Sequence, residues 1–368
     1  SHLWMKLEPE FPGRAFGVYL LRKFVTGSAF PARELLKVTH GNKTAALGNA
    51  SYVRGPNLQK VFDKKLPIKK LNFRQYCFDV LMTLLTLPED DKADQFIVYE
   101  ATKDGPVFIN VDEERAFFPA MKKNWRNVTS IQCKSILLTL DEMKQIFDPV
   151  VRDEFLALEP ASFFENWLNQ INEFNTQCVD LFGVEEINKR LAEQGQEYSE
   201  LPFYLEPSEF AKDGSVKKPG ILLTLYQRFK ALQHALTESP DITLIGLLLK
   251  VHKDLGALYN TELQKNKRPI DRFCELTKDE YKREKGSTVS VTTSLLRGPY
   301  KTHQEYVQHG WTGVGASRDL KQVILHTTSK EALKKDLIEK NGAVLRTLKL
   351  PGLSAQIVEE IDFSKLSD

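Results

Sequence analysis

The sequence contains few cysteines and no long hydrophobic segment free of charge. Its four cysteines, Cys77, Cys133, Cys178 and Cys274, lie far apart and form no CxxC or CxxH pair. This spacing predicts neither a clustered zinc site nor a disulfide framework, and it favours reduced thiols in a cytosol-like compartment. No apolar run reaches about 18 residues without a charge, so no transmembrane helix is predicted. The N-terminal residues also lack the apolar centre of a secretory signal peptide.

The chain also lacks an excess of charge of one sign. It has 51 Lys and Arg against 49 Asp and Glu, a formal net charge of +2. A protein that binds nucleic acid through bulk electrostatics usually has a strong basic excess, so we expect no nucleic-acid partner. With 368 residues, 42% of them hydrophobic and 27% charged, the composition is that of an ordinary globular protein. Its length allows about two or three domains.

Hydrophobic spacing and turn residues predict a mixed N-terminal part. Residues 14–26 have helical spacing, and residues 31–38 are predicted as a second, short helix. Residues 44–53 are predicted as a strand that ends at a strong turn signal, Arg54-Gly55-Pro56. Residues 58–62 are predicted as a short helix capped by Asn57.

The next segment combines a buried helix with a charged loop and a hairpin. Residues 72–87 have the apolar pattern of a buried helix. They are followed by a polar loop, residues 88–95, and by a short strand, residues 96–99. A Lys-Asp-Gly-Pro turn then predicts a hairpin with a second strand over residues 107–111. That strand runs directly into an acidic turn, residues 112–114.

From residue 130 to about residue 265 the predicted structure is largely helical. Apolar residues three and four apart predict helices over residues 140–147, 150–157, 161–182, 185–194, 221–237 and 242–262. A long loop with several prolines, residues 195–220, interrupts them. Beyond this part, alternating strand patterns and one helix indicate a separate mixed α/β extension over residues 266–368.

Two carboxylates stand at positions suited to phosphoryl transfer. That reaction needs one carboxylate beside the attacking hydroxyl and another that holds Mg²⁺ against the phosphates. A loop directly after a buried helix supplies Asp90, and the end of a short hairpin supplies Asp112. Because Asp112 follows an apolar strand and precedes an apolar Ala-Phe-Phe segment, we expect it to be partly buried, where a carboxylate needs a partner.

The loop and the turn resemble two motifs of the protein-kinase and lipid-kinase superfamily. In a remote branch of it the loop reads roughly P-E-D-x-K-P-D-N before a strand, and the metal motif reads I-D-x-x-x-A-F. Here the corresponding segments are Pro88-Glu89-Asp90-Asp91-Lys92-Ala93-Asp94-Gln95 and Val111-Asp112-Glu113-Glu114-Arg115-Ala116-Phe117. The resemblance implies that Asp90 is the catalytic base and that Lys92 lies near the γ-phosphate of ATP. It further implies that Gln95 and Asp112 bind Mg²⁺.

Other segments fall in the order that this superfamily has. Residues 52–58 resemble its hinge, so the resemblance implies that Val53, Arg54 and Gly55 offer backbone groups to the adenine of ATP. Lys6 on the first strand would correspond to the lysine that holds the α- and β-phosphates.

The implied fold is α+β, a kinase-like bilobal domain followed by a smaller mixed α/β extension. Residues 1–56 would form a reduced N-lobe and hinge, with the helix over residues 14–26 as its αC helix, and residues 57–265 a mostly helical C-lobe. The implied function is transfer of the γ-phosphoryl group of Mg²⁺-ATP to a hydroxyl of a protein or a phosphoinositide. The protein would act in the cytoplasm, or in a host cytosol as a secreted effector, and residues 266–368 would suit a protein partner.

Three features depart from the superfamily pattern and leave a second interpretation open. No glycine-rich loop precedes Lys6, Ala15 stands where the αC glutamate is expected, and Gln95 replaces a metal-binding asparagine. These departures favour a pseudokinase, a kinase-shaped scaffold that binds a partner. A related alternative retains the nucleotide site but transfers another group, such as AMP or glutamate. Ser1-His2 resembles a cloning remnant, so the loop is expected either to lie in a longer parent protein or to be lacking.

Overall fold

The structure is a computed structural model, and its described residues are 3–7, 11–27, 33–40, 43–52, 55–64, 71–100, 104–123, 129–183, 203, 205, 208–210 and 216–277. They form a mixed α+β fold that is mostly helical and contains four small antiparallel sheets. Within these ranges no helix is long and apolar enough to cross a membrane. The helix predicted over residues 185–194, the hinge residues Val53 and Arg54, and residues 278–368 of the predicted extension lie outside the described residues.

The helices of the described residues are α1 (Pro12–Thr26), α2 (Leu58–Asp63), α3 (Phe73–Thr86), α4 (Pro149–Leu156), α5 (Pro160–Phe182), α6 (Ile221–Glu238), α7 (Leu244–Val251), α8 (Lys253–Leu263) and α9 (Pro269–Leu276). The strands are β1 (Leu3–Leu7), β2 (Arg33–His40), β3 (Lys43–Tyr52), β4 (Phe96–Tyr99), β5 (Val107–Asn110), β6 (Met121–Lys123), β7 (Thr129–Ile131), β8 (Glu209–Phe210) and β9 (Val216–Lys218). Three short 3-10 turns lie at Ala93–Gln95, Ile136–Thr139 and Asp141–Lys144.

The largest sheet has the strand order β1-β3-β2, and both pairs are antiparallel. β3 confirms the strand predicted over residues 44–53, and its pairing with β1 sets Lys6 opposite Asn49. The helix predicted over residues 31–38 is wrong, because that segment forms strand β2 and pairs with β3. An eight-residue helix is marginal in water, whereas pairing with β3 provides partners for the backbone groups of the segment.

α1 confirms the helix predicted over residues 14–26. It begins at Pro12, where the missing N–H is no loss because the first helical turn leaves its N–H groups unpaired. It ends at Gly27, which adopts a left-handed φ of 66°. The helix is held against α5, where the indole N–H of buried Trp167 donates to the carbonyl of Gly17 at 2.9 Å.

α3 is the buried central helix, and it confirms the helix predicted over residues 72–87. Asn72 caps its N-terminus, and the Asn72 side-chain oxygen accepts from the N–H of Gln75 at 3.0 Å. Residues 76–86 are all buried, which is the pattern of a helix covered on every side. α1, α4, α6, α7 and β5 all pack against it. Polar residues on α3 are therefore held in the interior.

β4 and β5 confirm the predicted hairpin, with Phe96 opposite Asn110 in its register. All four residues of β5 are buried. The outer edge of β4 is paired with the segment that contains the predicted hinge, since the N–H of Val98 donates to the carbonyl of Pro56 at 2.8 Å. The hairpin therefore lies between α3 and the segment that follows β3.

The later helices differ from the predictions at two places. The helix predicted over residues 242–262 is two helices, α7 and α8, because His252 leaves helical geometry with φ −135° and ψ 72°. Apolar spacing continues across such a one-residue break, so the pattern does not reveal it. Residues 140–147 contain a short 3-10 turn instead of the predicted helix. Helical packing continues past residue 265, where Arg272 of α9 donates to the carbonyl of Thr139 at 2.9 Å.

Gly55 permits a close approach between β4 and the segment that precedes α2. A Cβ at this position would lie 2.1 Å from the carbonyl oxygen of Val98. The φ of 157° is also one that residues other than glycine rarely adopt. We expect Gly55→Ala to lower the free energy of unfolding in urea by about 2 kcal/mol. Gly27→Ala is the matched control, because its φ is also positive but a Cβ there meets no atom within 4 Å. We expect it to cost about 1 kcal/mol, and equal losses for the two variants would contradict the steric argument.

Candidate functional site

The polar loop of residues 88–95 lies beside residues 110–116, which contain the acidic turn, at one end of the β4–β5 hairpin. Three hydrogen bonds join them: Val111 N–H to the Gln95 carbonyl at 3.0 Å, Glu89 N–H to the Arg115 carbonyl at 2.8 Å, and Asn110 Nδ2 to Asp91 Oδ1 at 2.8 Å. An ion pair of Arg115 with Glu89 at 2.9 Å reinforces the contact. The structure therefore brings the two predicted carboxylate segments together as one rigid unit.

Asp90 and Lys92 form an ion pair on the outer side of the loop. The Lys92 ammonium lies 3.1 Å from the Asp90 carboxylate. The Lys92 side chain is exposed, and the Asp90 side chain is 21% exposed, so solvent or a ligand can reach both groups. The pair supplies a hydrogen-bond acceptor and a positive charge next to each other at the surface, which suits contact with a hydroxyl and a phosphate.

Gln95 lies next to this pair, but its side chain has a local role. Its Oε1 accepts from the backbone N–H of Lys92 at 2.9 Å and closes the 3-10 turn between them. An amide oxygen has two lone pairs, so this bond leaves acceptor capacity for a cation. The bond also fixes the direction of the side chain.

Asp112 follows the end of β5 and is half-buried, as expected from the sequence. Its backbone N–H donates to Oδ1 of Asn110 at 2.9 Å, which holds the first residues of the turn against the hairpin. The backbone N–H of Val111 is bonded to the carbonyl of Gln95, so the backbone of the next residue, Asp112, lies close to the polar loop. The turn ends at Phe117, a non-glycine residue with a positive φ of 68°.

Asp91 is an acidic residue at the centre of this unit whose importance the sequence did not indicate. It is 4% exposed, its carboxylate accepts from Asn110, and its own N–H donates to the carbonyl of Lys134 at 2.8 Å. Burial, and then the nearby Glu113 carboxylate, raise the pKa of Asp91 well above its usual range. Its type and position resemble those of the solvated Asp90 beside it, so no sequence signal separates the two.

A second buried cluster links α1 and α3 to the acidic turn. The Arg22 guanidinium contacts Oδ1 of Asp79 at 2.5 Å and Oε1 of Glu113 at 3.2 Å. Burial opposes the charge, but the carboxylates of Asp79 and Glu113 raise the pKa of Arg22. Burial also raises the pKa of Asp79, against the effect of Arg22. The sequence directed attention to Ala15 of the same helix, which is fully buried.

These two polar clusters share a small cavity. Arg22, Asp91, Asn110 and Glu113 line it together with apolar residues of α1, α3 and β4. Its volume is about 20 Å³, room for about one water molecule. A nucleotide needs a site of several hundred Å³, on the order of 300 or more. This cavity is therefore too small to hold a nucleotide.

The structure describes only some of the residues that are predicted to contact a nucleotide. Gly55 lies against β4, while Val53 and Arg54 lie outside the described residues. Lys6 is on β1, as predicted, but its side chain is among those not described. The contacts predicted for the adenine and for the α- and β-phosphates remain predictions.

Within the described part of the chain, no group of three or more His, Cys, Asp or Glu residues is placed to hold a metal ion. Mg²⁺ bound to a nucleotide usually takes only one or two carboxylates, with phosphate oxygens and waters as its other ligands. Asp112 and the amide oxygen of Gln95 are donors of the kind that such a site uses.

Comparisons with protein-family models, with curated proteins and with solved structures gave no match to this chain.

Proposed function

We propose that the chain is a kinase-like phosphotransferase that moves the γ-phosphoryl group of Mg²⁺-ATP to a hydroxyl of a protein or a phosphoinositide. The observation that supports this best is the joined loop and turn, which bring Asp90, Lys92 and Asp112 to one end of a buried hairpin. Phosphoryl transfer depends mainly on positioning and electrostatic stabilisation. A unit held by three hydrogen bonds and an ion pair provides a rigid support for such groups.

In this proposal Asp90 accepts a hydrogen bond from the attacking hydroxyl and orients it. Lys92, 3.1 Å away, lies close enough to contact a phosphate oxygen and to balance negative charge that develops during transfer. Both side chains can be reached from solvent, which a group that meets an external substrate requires.

Asp112, with the amide oxygen of Gln95, would hold Mg²⁺. The metal ion would neutralise charge on the phosphates. Asp112 is half-buried at the start of the turn, and its backbone is held close to Gln95. This arrangement needs only one carboxylate, so it is compatible with the finding that the described residues hold no three-residue metal cluster.

The proposed architecture is bilobal, with a reduced N-lobe. The β1-β3-β2 sheet would belong to the N-lobe, and the helices from α3 onward to the C-lobe. β3 leads along the chain to Gly55, and the segment after it pairs with β4 beside the candidate site. That connection is where a hinge would run in a kinase-like domain.

A kinase-shaped scaffold is the second candidate function, and the Gln95 side chain favours it. Its oxygen is bonded to the Lys92 N–H, which makes it a structural residue of the 3-10 turn. This bond satisfies the Lys92 N–H through a protein group and gives the Gln95 side chain a role that needs no metal ion. The same site could then bind a nucleotide, transfer a different group such as AMP or glutamate, or serve only to shape a surface for a partner.

Thermal unfolding with ligands separates these functions. A ligand that binds only the folded chain stabilises it by about 2.7 kcal/mol at a hundredfold excess over Kd. For a phosphotransferase we expect Mg²⁺-ATP to raise the melting temperature by several degrees, and by more than ATP with EDTA or adenosine. Equal shifts with ATP and adenosine, independent of Mg²⁺, would contradict the metal site and favour the scaffold. No shift with any of these ligands would contradict a nucleotide site altogether.

A further inference from the structure

Arg22 is a cation that lies between α1, α3 and the acidic turn. Its guanidinium contacts Asp79 of α3 at 2.5 Å and Glu113 of the turn at 3.2 Å, and both carboxylates are buried. Arg22 itself is mostly buried, with its side chain 14% exposed. A bidentate guanidinium is the side chain best suited to hold two carboxylates in a fixed geometry.

One guanidinium contacts both carboxylates. Asp79 and Glu113 are like charges that contact one guanidinium, and the nearby Glu113 carboxylate contributes to the raised pKa of Asp79. Removal of one partner from a buried ion pair leaves the remaining charge without compensation. Loss of Arg22 removes the guanidinium that both carboxylates contact, so we expect Glu113 and the turn to be held less firmly against α3.

Glu113 directly follows Asp112, so the turn is held on both sides of the proposed metal ligand. On one side Asn110 accepts from the N–H of Asp112, and on the other Arg22 holds Glu113. The position of α1 is itself fixed by the bond from Trp167 to Gly17. A displacement of α1 would thus act on the direction of the Asp112 carboxylate through Arg22.

We propose that Arg22 is a positioning residue, which orients the Asp112 carboxylate through Glu113 and couples the position of α1 to the candidate site. This inference rests on the proposed phosphotransferase function. It assigns to a basic residue of α1 the link between that helix and the metal-binding turn. Residues that orient metal ligands typically change metal affinity by about 10- to 100-fold when they are replaced.

The test compares Arg22→Met, Arg22→Lys and Glu113→Gln with the parent chain by titration of Mg²⁺ at saturating ATP. We expect Arg22→Met and Glu113→Gln to raise the Mg²⁺ concentration for half-maximal turnover by about tenfold. Arg22→Lys should restore part of this loss, because an ammonium can hold one carboxylate. Arg74→Met is the matched control. It removes an arginine of α3 whose ion pair with Glu154 of α4 is exposed to solvent.

The control variant should keep the Mg²⁺ dependence of the parent chain within about twofold. A change of the same size in Arg74→Met would show that the effect of Arg22→Met is not specific to the turn. An unchanged Mg²⁺ dependence in folded Arg22→Met and Glu113→Gln would overturn the inference. If Arg22→Met does not fold, Arg22→Lys and Glu113→Gln still provide the comparison.

Hydrogen exchange separates a failure of this inference from a failure of the proposed function. If the parent chain shows no Mg²⁺-dependent turnover, the proposed function fails, and amide exchange over residues 110–116 then tests the positioning by itself. Faster exchange in Arg22→Met that is confined to this turn supports the role of Arg22. Unchanged exchange there, or an equal increase throughout α3, overturns it.

Discussion

Replacement of Asp112 by alanine is expected to nearly abolish Mg²⁺-ATP turnover, with a loss of about 100- to 1000-fold. The proposed site has one carboxylate for the metal ion, so its removal leaves only the amide oxygen of Gln95 to hold the Mg²⁺ that would neutralise the phosphates. Losses of about 100- to 1000-fold are typical when a single group that stabilises transition-state charge is removed. Turnover is measured as ADP release at saturating Mg²⁺, with protein and phosphoinositide acceptors supplied in separate assays.

Asp94→Asn is the matched control for this variant. Asp94 lies in the 3-10 turn beside Gln95, and its side chain is exposed. The substitution Asp94→Asn also removes one negative charge from the same unit. We expect Asp94→Asn to retain most of the turnover and Asp112→Asn to retain little. A folded Asp112→Ala chain that turns over ATP at the parent rate would rule out the assignment of Asp112, whatever the behaviour of the control.

Asp90→Asn would distinguish the two carboxylates. If Asp90 orients the acceptor hydroxyl, the Asp90→Asn substitution should slow transfer to the acceptor and leave the Mg²⁺ dependence of turnover unchanged. The Asp112 variants should change that dependence. Similar Mg²⁺ profiles for both sets of variants would indicate that the roles of the two residues are not separate.

The parts of the fold that the sequence predicted correctly are those set by local chemistry. The buried helix α3 follows from continuous apolar spacing, and its cap Asn72 is a residue type that favours helix starts. The β4–β5 hairpin follows from a Gly-Pro turn between two apolar runs. In both cases the determining residues lie within a few positions of one another.

The parts that the sequence did not predict depend on contacts between distant segments. Strand β2 has residues that also suit a helix, and its pairing with β3 decides the outcome. Arg22 contacts Asp79 and Glu113, which are 57 and 91 positions further along the chain, so no pattern on α1 identifies it. Asp91 is distinguished from Asp90 only by burial. The polar loop and the acidic turn were predicted as candidates, but the hydrogen bonds that join them required the structure.

His252 and Asp91 are expected to give the stability of the protein opposing pH dependences. Burial, and then the nearby Arg228 guanidinium, lower the pKa of His252 to about 4, while its ordinary value is about 6.5. Between these pH values the unfolded chain binds a proton that the folded chain does not, so stability falls as the pH is lowered. Since 2.5 pKa units at 1.36 kcal/mol each amount to about 3 kcal/mol, His252 alone should cost that much by pH 4.

Asp91 acts in the other direction. Its pKa is raised in the folded chain by burial and by Glu113, so above about pH 4 the folded chain keeps a proton that the unfolded chain has released. Its contribution therefore weakens as the pH rises through this range, and on acidification it partly offsets the loss caused by His252. The parent chain alone shows only the sum of the two effects.

Urea unfolding of His252→Gln and Asp91→Asn between pH 4 and pH 8 should separate them. Relative to the parent chain, His252→Gln should gain about 3 kcal/mol as the pH is lowered from 6.5 to 4, because the glutamine amide does not take up a proton. Asp91→Asn should gain stability relative to the parent chain as the pH is raised from 4, since its amide has no proton to lose. His234→Gln, an exposed histidine of α6, reports the cost of the substitution itself. A His252→Gln profile parallel to that of the parent chain would show that the imidazole is not held neutral between α3 and Arg228.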